Sequence, residues 1–160
     1  MSMTTNPPAV VDEEAFTVRR TITISAPIDK VWATITQPEL IIGWLGTSVE
    51  LEPVAVGARG VFTFEGYGAV PVRVEELDPP RMIAFRWTSD PSADARAAGF
   101  DINHSTVFTY TLVPVDGGTQ LTVVESGFEN LSDPAIGLEN NRRGWDGGFD
   151  QLATLLEGGA

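Results

Sequence analysis

Asp133 to Glu157 reads DPAIGLENNRRGWDGGFDQLATLLE. Asp133 and Pro134 make a helix-start signal: a side-chain acceptor, then a residue whose φ is preset and which has no N–H to leave unpaired. Leu138, Trp145, Phe149, Leu152 and Leu156 follow at spacings of seven, four, three and four, which is one face of a helix. The other face carries Glu139, Arg143, Asp146 and Asp150, with Glu139 four residues before Arg143, the favourable order for a helical ion pair. Gly144, Gly147 and Gly148 each cost ~1 kcal/mol relative to alanine inside a helix. Two readings of them stay open: they bring the helix close to a sheet or leave room beside Trp145, or they weaken and bend it locally.

Upstream of this helix the chain reads as strands that need a cover. Met1 to Ala15 is polar, acidic and without period, and is expected to be a flexible tail (residues 1–15) ahead of a single domain (residues 16–158). Phe16 to Ser25 alternates, with Phe16, Val18, Ile22 and Ile24 on one face and Thr17, Arg19, Thr21 and Thr23 on the other. Pro27 opens a helix with Ile28, Val31, Trp32 and Ile35 at helical spacing, Pro38 stops it, and Glu39 to Gly43 predicts a second short helix before Trp44. Strands are then predicted at Thr47 to Leu51, Arg59 to Glu65, Ala69 to Leu77 and Arg81 to Thr88, with Pro71 favouring an edge position or a strand start. Ser89 to Asn103 breaks the pattern with a long Ala-, Asp- and Gly-rich connection, expected to be less ordered than the strands beside it. His104 to Pro114 and Gln120 to Ser126 flank Asp116-Gly117-Gly118, a strong hairpin signal.

Composition narrows the function classes. The chain has 160 residues, enough for one core that buries about two-thirds of the unfolded surface. Cysteine is absent and His104 is the only histidine, so thiolate nucleophiles, disulfides, zinc–sulfur sites and histidine-rich metal clusters are excluded, and neither metal nor cofactor is expected. No apolar run approaches membrane-spanning length, and the first eight residues lack the basic and apolar regions of a signal peptide, which points to a cytoplasmic protein. With a formal net charge of −12 and Lys30 as the single lysine, neither nucleic acid nor an anionic membrane is an expected partner.

One strand, two short helices, about six further antiparallel strands and one long helix make an α+β arrangement. A strongly twisted sheet of six or seven strands curls, and a single helix cannot fill its concave side completely. A cavity is therefore expected between helix and sheet. Ala26-Pro27, Val31-Trp32, Trp44, Asp78-Pro79-Pro80-Arg81 running into Phe85-Arg86-Trp87, Thr119-Gln120-Leu121-Thr122 into Glu125-Ser126-Gly127-Phe128, and Gly144-Trp145 together carry a family pattern. From about Phe16 to Glu157 the chain resembles the START-like (SRPBCC, Bet v-like) superfamily, specifically single-domain relatives of the activator of heat-shock-protein-90 ATPase. The resemblance implies a helix-grip fold with a hydrophobic cavity, in a group that holds lipid and polyketide binders and cyclase-like enzymes. It brings no shared catalytic residues. No counterpart of the chaperone activator's extra N-terminal domain is expected.

The side chains expected to border the cavity are Trp44, Phe62, Phe64, Trp87, Phe108 and Tyr110, followed by Leu121, Val123, Glu125, Trp145 and Phe149. Glu125 shares the parity of Leu121 and Val123 and so points towards the interior, where a carboxylate needs a cation or several donors. Arg59, Arg73 and Arg86 are its candidate partners, and a structural ion pair is the simpler role. Nucleophilic catalysis has little support: no Gly-x-Ser-x-Gly occurs, and adjacent strand residues such as His104 and Ser105 point to opposite faces. His104 is more simply a partly exposed polar residue. The leading expectation is a binding module for a small apolar or aromatic ligand. An enzyme of the same fold would use Glu125, His104 or Tyr110 for proton transfer on a polyketide-like or cyclic substrate. A chaperone-activator-like interaction role is the third possibility, and stimulation of chaperone ATP turnover is expected to be absent, because one acidic domain with a single lysine offers little charge variety for docking.

Overall fold

The structure, a computed structural model, describes residues 6–66, 68–88 and 102–158. Its strands are β1 (Val10–Asp12), β2 (Thr17–Ile24), β3 (Ser48–Leu51), β4 (Arg59–Phe64), β5 (Gly68–Asp78), β6 (Met82–Trp87), β7 (Thr106–Val115) and β8 (Gly118–Ser126). The helices are α1 (Ile28–Thr36), α2 (Pro38–Ile41) and α3 (Pro134–Gly158). All eight strands form one antiparallel sheet in the order β1-β2-β8-β7-β6-β5-β4-β3. The predicted α+β fold is therefore present, with eight strands in place of six or seven. The additional strand is β1, three residues paired with β2 inside the stretch read as a tail. Three residues are too few to show a period of two, so the pattern missed it. Of the connection Ser89 to Asn103, residues 89–101 lie outside the described residues.

The alternation read from the sequence sets the inner face of the sheet. Val18, Ile22 and Ile24 of β2, Phe108, Tyr110 and Leu112 of β7, and Leu121 and Val123 of β8 are buried together. Trp145, Phe149, Leu152 and Leu156 of α3 meet them from above. At 25 residues α3 runs about 37 Å, long enough to lie across the inner face. Its glycines do not break it.

One placement differs from expectation. Pro71 sits in an interior strand, between β4 and β6, not at an edge or a strand start. Its carbonyl accepts from the Thr88 N–H at 3.2 Å, so its nitrogen also faces this side, just past the last residue of β6. The missing N–H falls where pairing has already ended, which is why a proline fits. Arg20, on which the sequence reading is silent, shares the parity of Val18 and Ile22 and turns inward, where it is buried. Its guanidinium donates to the carbonyls of Pro7 (2.9 Å), Trp145 (3.2 Å) and Asp146 (2.8 Å) and to Asp150 Oδ1 (2.7 Å). Arg20 thus ties β2, the N-terminal segment and the middle of α3 together.

Candidate functional site

A cavity of about 380 Å³ opens between α3 and the far half of the sheet. Leu45, Phe64, Val70 and Trp87 line it from the chain after α2 and from β4, β5 and β6, and Asn140, Asn141, Gly144 and Trp145 line it from α3. The helix residues fall at i, i+1, i+4 and i+5, so they share one face one turn apart. A Cβ built on Gly144 would meet nothing within 4 Å, whereas one on Gly148 would stand 3.7 Å from the Trp44 ring. Gly144 therefore leaves space at the cavity and Gly148 lies in ordinary contact with the core. Of the two readings of the helical glycines, Gly144 follows the first.

Behind the indole wall lies Glu125, fully buried. β8 brings it inward in register with Phe108 of β7. Trp87 Nε1 donates to Oε2 and Trp145 Nε1 to Oε1, each at 2.8 Å, from two nearly parallel rings 6.0 Å apart. The Thr106 hydroxyl donates to Oε2, and Asn141 Nδ2 lies 3.0 and 2.9 Å from Oε1 and Oε2. Among the described residues every donor to this carboxyl is uncharged. Burial pushes its pKa above the ordinary glutamate value, and the bonds from Thr106, Trp87, Trp145 and Asn141 pull the other way without cancelling that effect.

The expected arginine partners are elsewhere. Arg73 and Arg86 both bind Glu75, at 2.6 and 2.8 Å, and hold its carboxyl below its ordinary range. Both have the opposite parity to Val72, Phe85 and Trp87, so the pleat carries them away from the core. Arg59 is Arg73's cross-strand partner and is exposed. Among the described residues the interior carboxyl is served by neutral donors and forms no ion pair.

Of the side chains expected at the cavity, Phe64, Trp87 and Trp145 line it. Trp44, Phe108, Tyr110 and Phe149 form the aromatic cluster beneath, with Tyr110 within about 6 Å of each of the other rings. Phe62 packs between Phe85 and Trp87, and Leu121 and Val123 are fully buried along β8. The helix fills more of the inner face than the curled-sheet argument anticipated, which confines the open volume to one end. The Tyr110 hydroxyl is buried without a hydrogen-bond partner among the described residues, and burial, with Glu125 nearby, raises its pKa well above the usual tyrosine value. His104 ends a short 3₁₀ turn and is not part of the cavity wall. Asn141, Leu45 and Val70 went unnoticed in the sequence. Asn141 stands four residues before Trp145, and that spacing was the available signal.

Among the described residues no group of three or more His, Asp or Glu is placed to hold a metal ion, and no helix is long and apolar enough to cross a membrane. Among solved structures, protein MLL2253 from Mesorhizobium loti is similar at 29% identity and a TM-score of 0.74, over 90% of this chain and 98% of that one. DynU16 of the dynemicin biosynthetic locus is similar at 25% identity and a TM-score of 0.70, over 89% of this chain and 48% of that one. The Aha1 dimer subunit from Colwellia psychrerythraea shares the fold at 17% identity and a TM-score of 0.67, over 88% of this chain and 96% of that one. No curated protein matches. The family model of the Activator of Hsp90 ATPase homolog 1-like protein matches residues 25–157, α1, α2, β3 to β8 and nearly all of α3, and the chain belongs to that family.

Proposed function

We propose that this protein binds a small apolar or aromatic molecule in the cavity between α3 and the sheet. The observation that carries the reading is the open, mainly apolar space of about 380 Å³ walled by the Trp87 and Trp145 rings beside Gly144. Space of this size suits a ligand of two or three fused rings, and a preformed apolar pocket of this kind supports micromolar affinity, about −8 kcal/mol. The likeness to DynU16, from a biosynthetic locus, is in keeping with a small-molecule role. Acid–base chemistry at Glu125 has less support, because both of its oxygens are already occupied by donors and it is sealed behind the indoles. The cysteine-free composition is in keeping with a cytosolic setting.

Titration of flavonoids and polyketide-like aromatics against tryptophan fluorescence tests this. Saturable quenching at micromolar ligand is expected, and Gly144→Leu, which fills the space while improving helix propensity, is expected to abolish it. Unchanged binding to Gly144→Leu would place the ligand elsewhere, and no saturable binding by any compound would remove the reading.

A further inference from the structure

We infer that Asn141 selects ligands by offering a fixed hydrogen-bond acceptor to the cavity, and that Glu125 holds it in that orientation. The inference rests on the cavity being a ligand site. Asn141 borders the cavity and places Nδ2 at 3.0 and 2.9 Å from the two oxygens of Glu125. A buried carboxylate accepts and does not donate, so the amide NH₂ is the half of Asn141 that faces it. Oδ1 is the remaining polar atom of the side chain. Among the described residues it has no hydrogen-bond partner, and it is not enclosed in the interior, since the only such buried atom is Tyr110 Oη. Oδ1 is thus the atom Asn141 presents.

The indoles strengthen this polarity. Trp87 and Trp145 both line the cavity, yet their N–H groups are spent on Glu125 at 2.8 Å, which leaves only ring carbon for the ligand. Among the described residues that line it there is no lysine or arginine. Glu125 therefore draws three donors away from the cavity and leaves an acceptor behind. Such a wall favours a neutral aromatic carrying a hydroxyl or N–H, disfavours the same ring with that group capped, and rejects a carboxylate. The acidic surface, at net charge −12, works in the same direction. Asn140, also a lining residue and exposed, has no such anchor among the described residues.

The test uses 2-naphthol, 2-methoxynaphthalene and 2-naphthoate, which share one ring system, with calorimetric affinities. Wild type is expected to bind 2-naphthol about three- to tenfold more tightly than the methyl ether, the worth of one net hydrogen bond, and 2-naphthoate most weakly. Asn141→Leu should bring the naphthol-to-ether ratio to about one. Glu125→Gln, which supplies an NH₂ to the amide, should let Asn141 turn over and favour 2-acetylnaphthalene, an acceptor-only probe. A general loosening of the fold would weaken all ligands alike and would not invert their order. In the ligand-free protein the Asn141 side-chain NH₂ should exchange slowly with solvent by NMR, and do so faster in Glu125→Gln. Equal binding of naphthol and ether by wild type, or rapid exchange of that NH₂, would overturn this inference and leave the cavity reading standing. Absence of binding by every naphthalene would overturn both.

Discussion

Glu125 is costly to bury and is held by donors that have no other use. Truncation as Glu125→Ala would strand two indole N–H groups, a hydroxyl and an amide in the interior. A loss of about 3 kcal/mol or more is expected by urea denaturation, since each stranded buried donor costs ~1–3 kcal/mol and neighbours share relaxation. The pH dependence has a definite sign. Its folded pKa is raised, so between the unfolded value and the raised one the folded state holds more protons. Stability from this group therefore rises as pH falls through that window, and the penalty is complete above it. Trp87, Trp145, Asn141 and Thr106 face the carboxyl uncharged, and Tyr110 stays protonated throughout. Glu75 and Glu139 act oppositely, because arginines lower them, Glu139 to about 2, and their contributions fade as pH falls below the ordinary glutamate value. Denaturation midpoints of wild type and Glu125→Gln across this range should diverge with rising pH, and parallel curves would contradict the assignment. Tyr110→Phe removes a buried hydroxyl that has no partner among the described residues and should raise stability by about 1 kcal/mol, read from the same unfolding curves.

At the scale of elements, α3 was legible throughout. Its apolar face from Leu138 to Leu156 is the buried one, and Glu139 does pair with Arg143, at 3.0 Å, while also binding Arg142. The strands from Phe16 to Ser126 were legible for the same reason: one buried face imposes a period of two. What escaped were contacts between elements that strand and helix periods do not encode. Arg20 reads by parity as an inward cation, but nothing local says that mid-helix carbonyls will receive it. Glu125 likewise reads as inward, whereas the neutrality of its donors depends on register across three strands and a helix. Arg20→Met keeps much of the apolar volume and loses every guanidinium bond, leaving the Asp146 and Trp145 carbonyls short of a donor. A loss of about 2–4 kcal/mol is expected, discounted for the exposure of Asp150, and a change under about 0.5 kcal/mol would show that helix–sheet packing suffices without the clamp. Gly144→Ala should do the reverse and add about 0.5–1 kcal/mol of helix stability by circular-dichroism melting, because its Cβ meets nothing.

For the whole molecule, the apolar interior follows from pattern, and the opening follows from what the pattern leaves over. Space remains where small or short residues, Gly144 of the long helix and Val70 of β5, line the gap between them. Sequence periods place side chains on faces but do not give the distance between facing elements, so the cavity could be expected while only part of its wall, Phe64, Trp87 and Trp145, could be named. The other end of the sheet is closed by a different device. β1 lies along β2, Asn6 bonds both backbone groups of Thr23, and the Ala9 N–H reaches Asp146 Oδ1 at 2.7 Å. This short strap occupies hydrogen-bonding positions that β2 would otherwise offer along its outer edge. A chain lacking residues 1–15 would leave the outer edge of the eight-residue β2 open, where alternate residues turn their amides and carbonyls away from β8 and could accept the same edge of a second molecule. Removing those residues should then convert a self-limited sheet into a template for head-on strand addition, visible as concentration-dependent growth in sedimentation velocity.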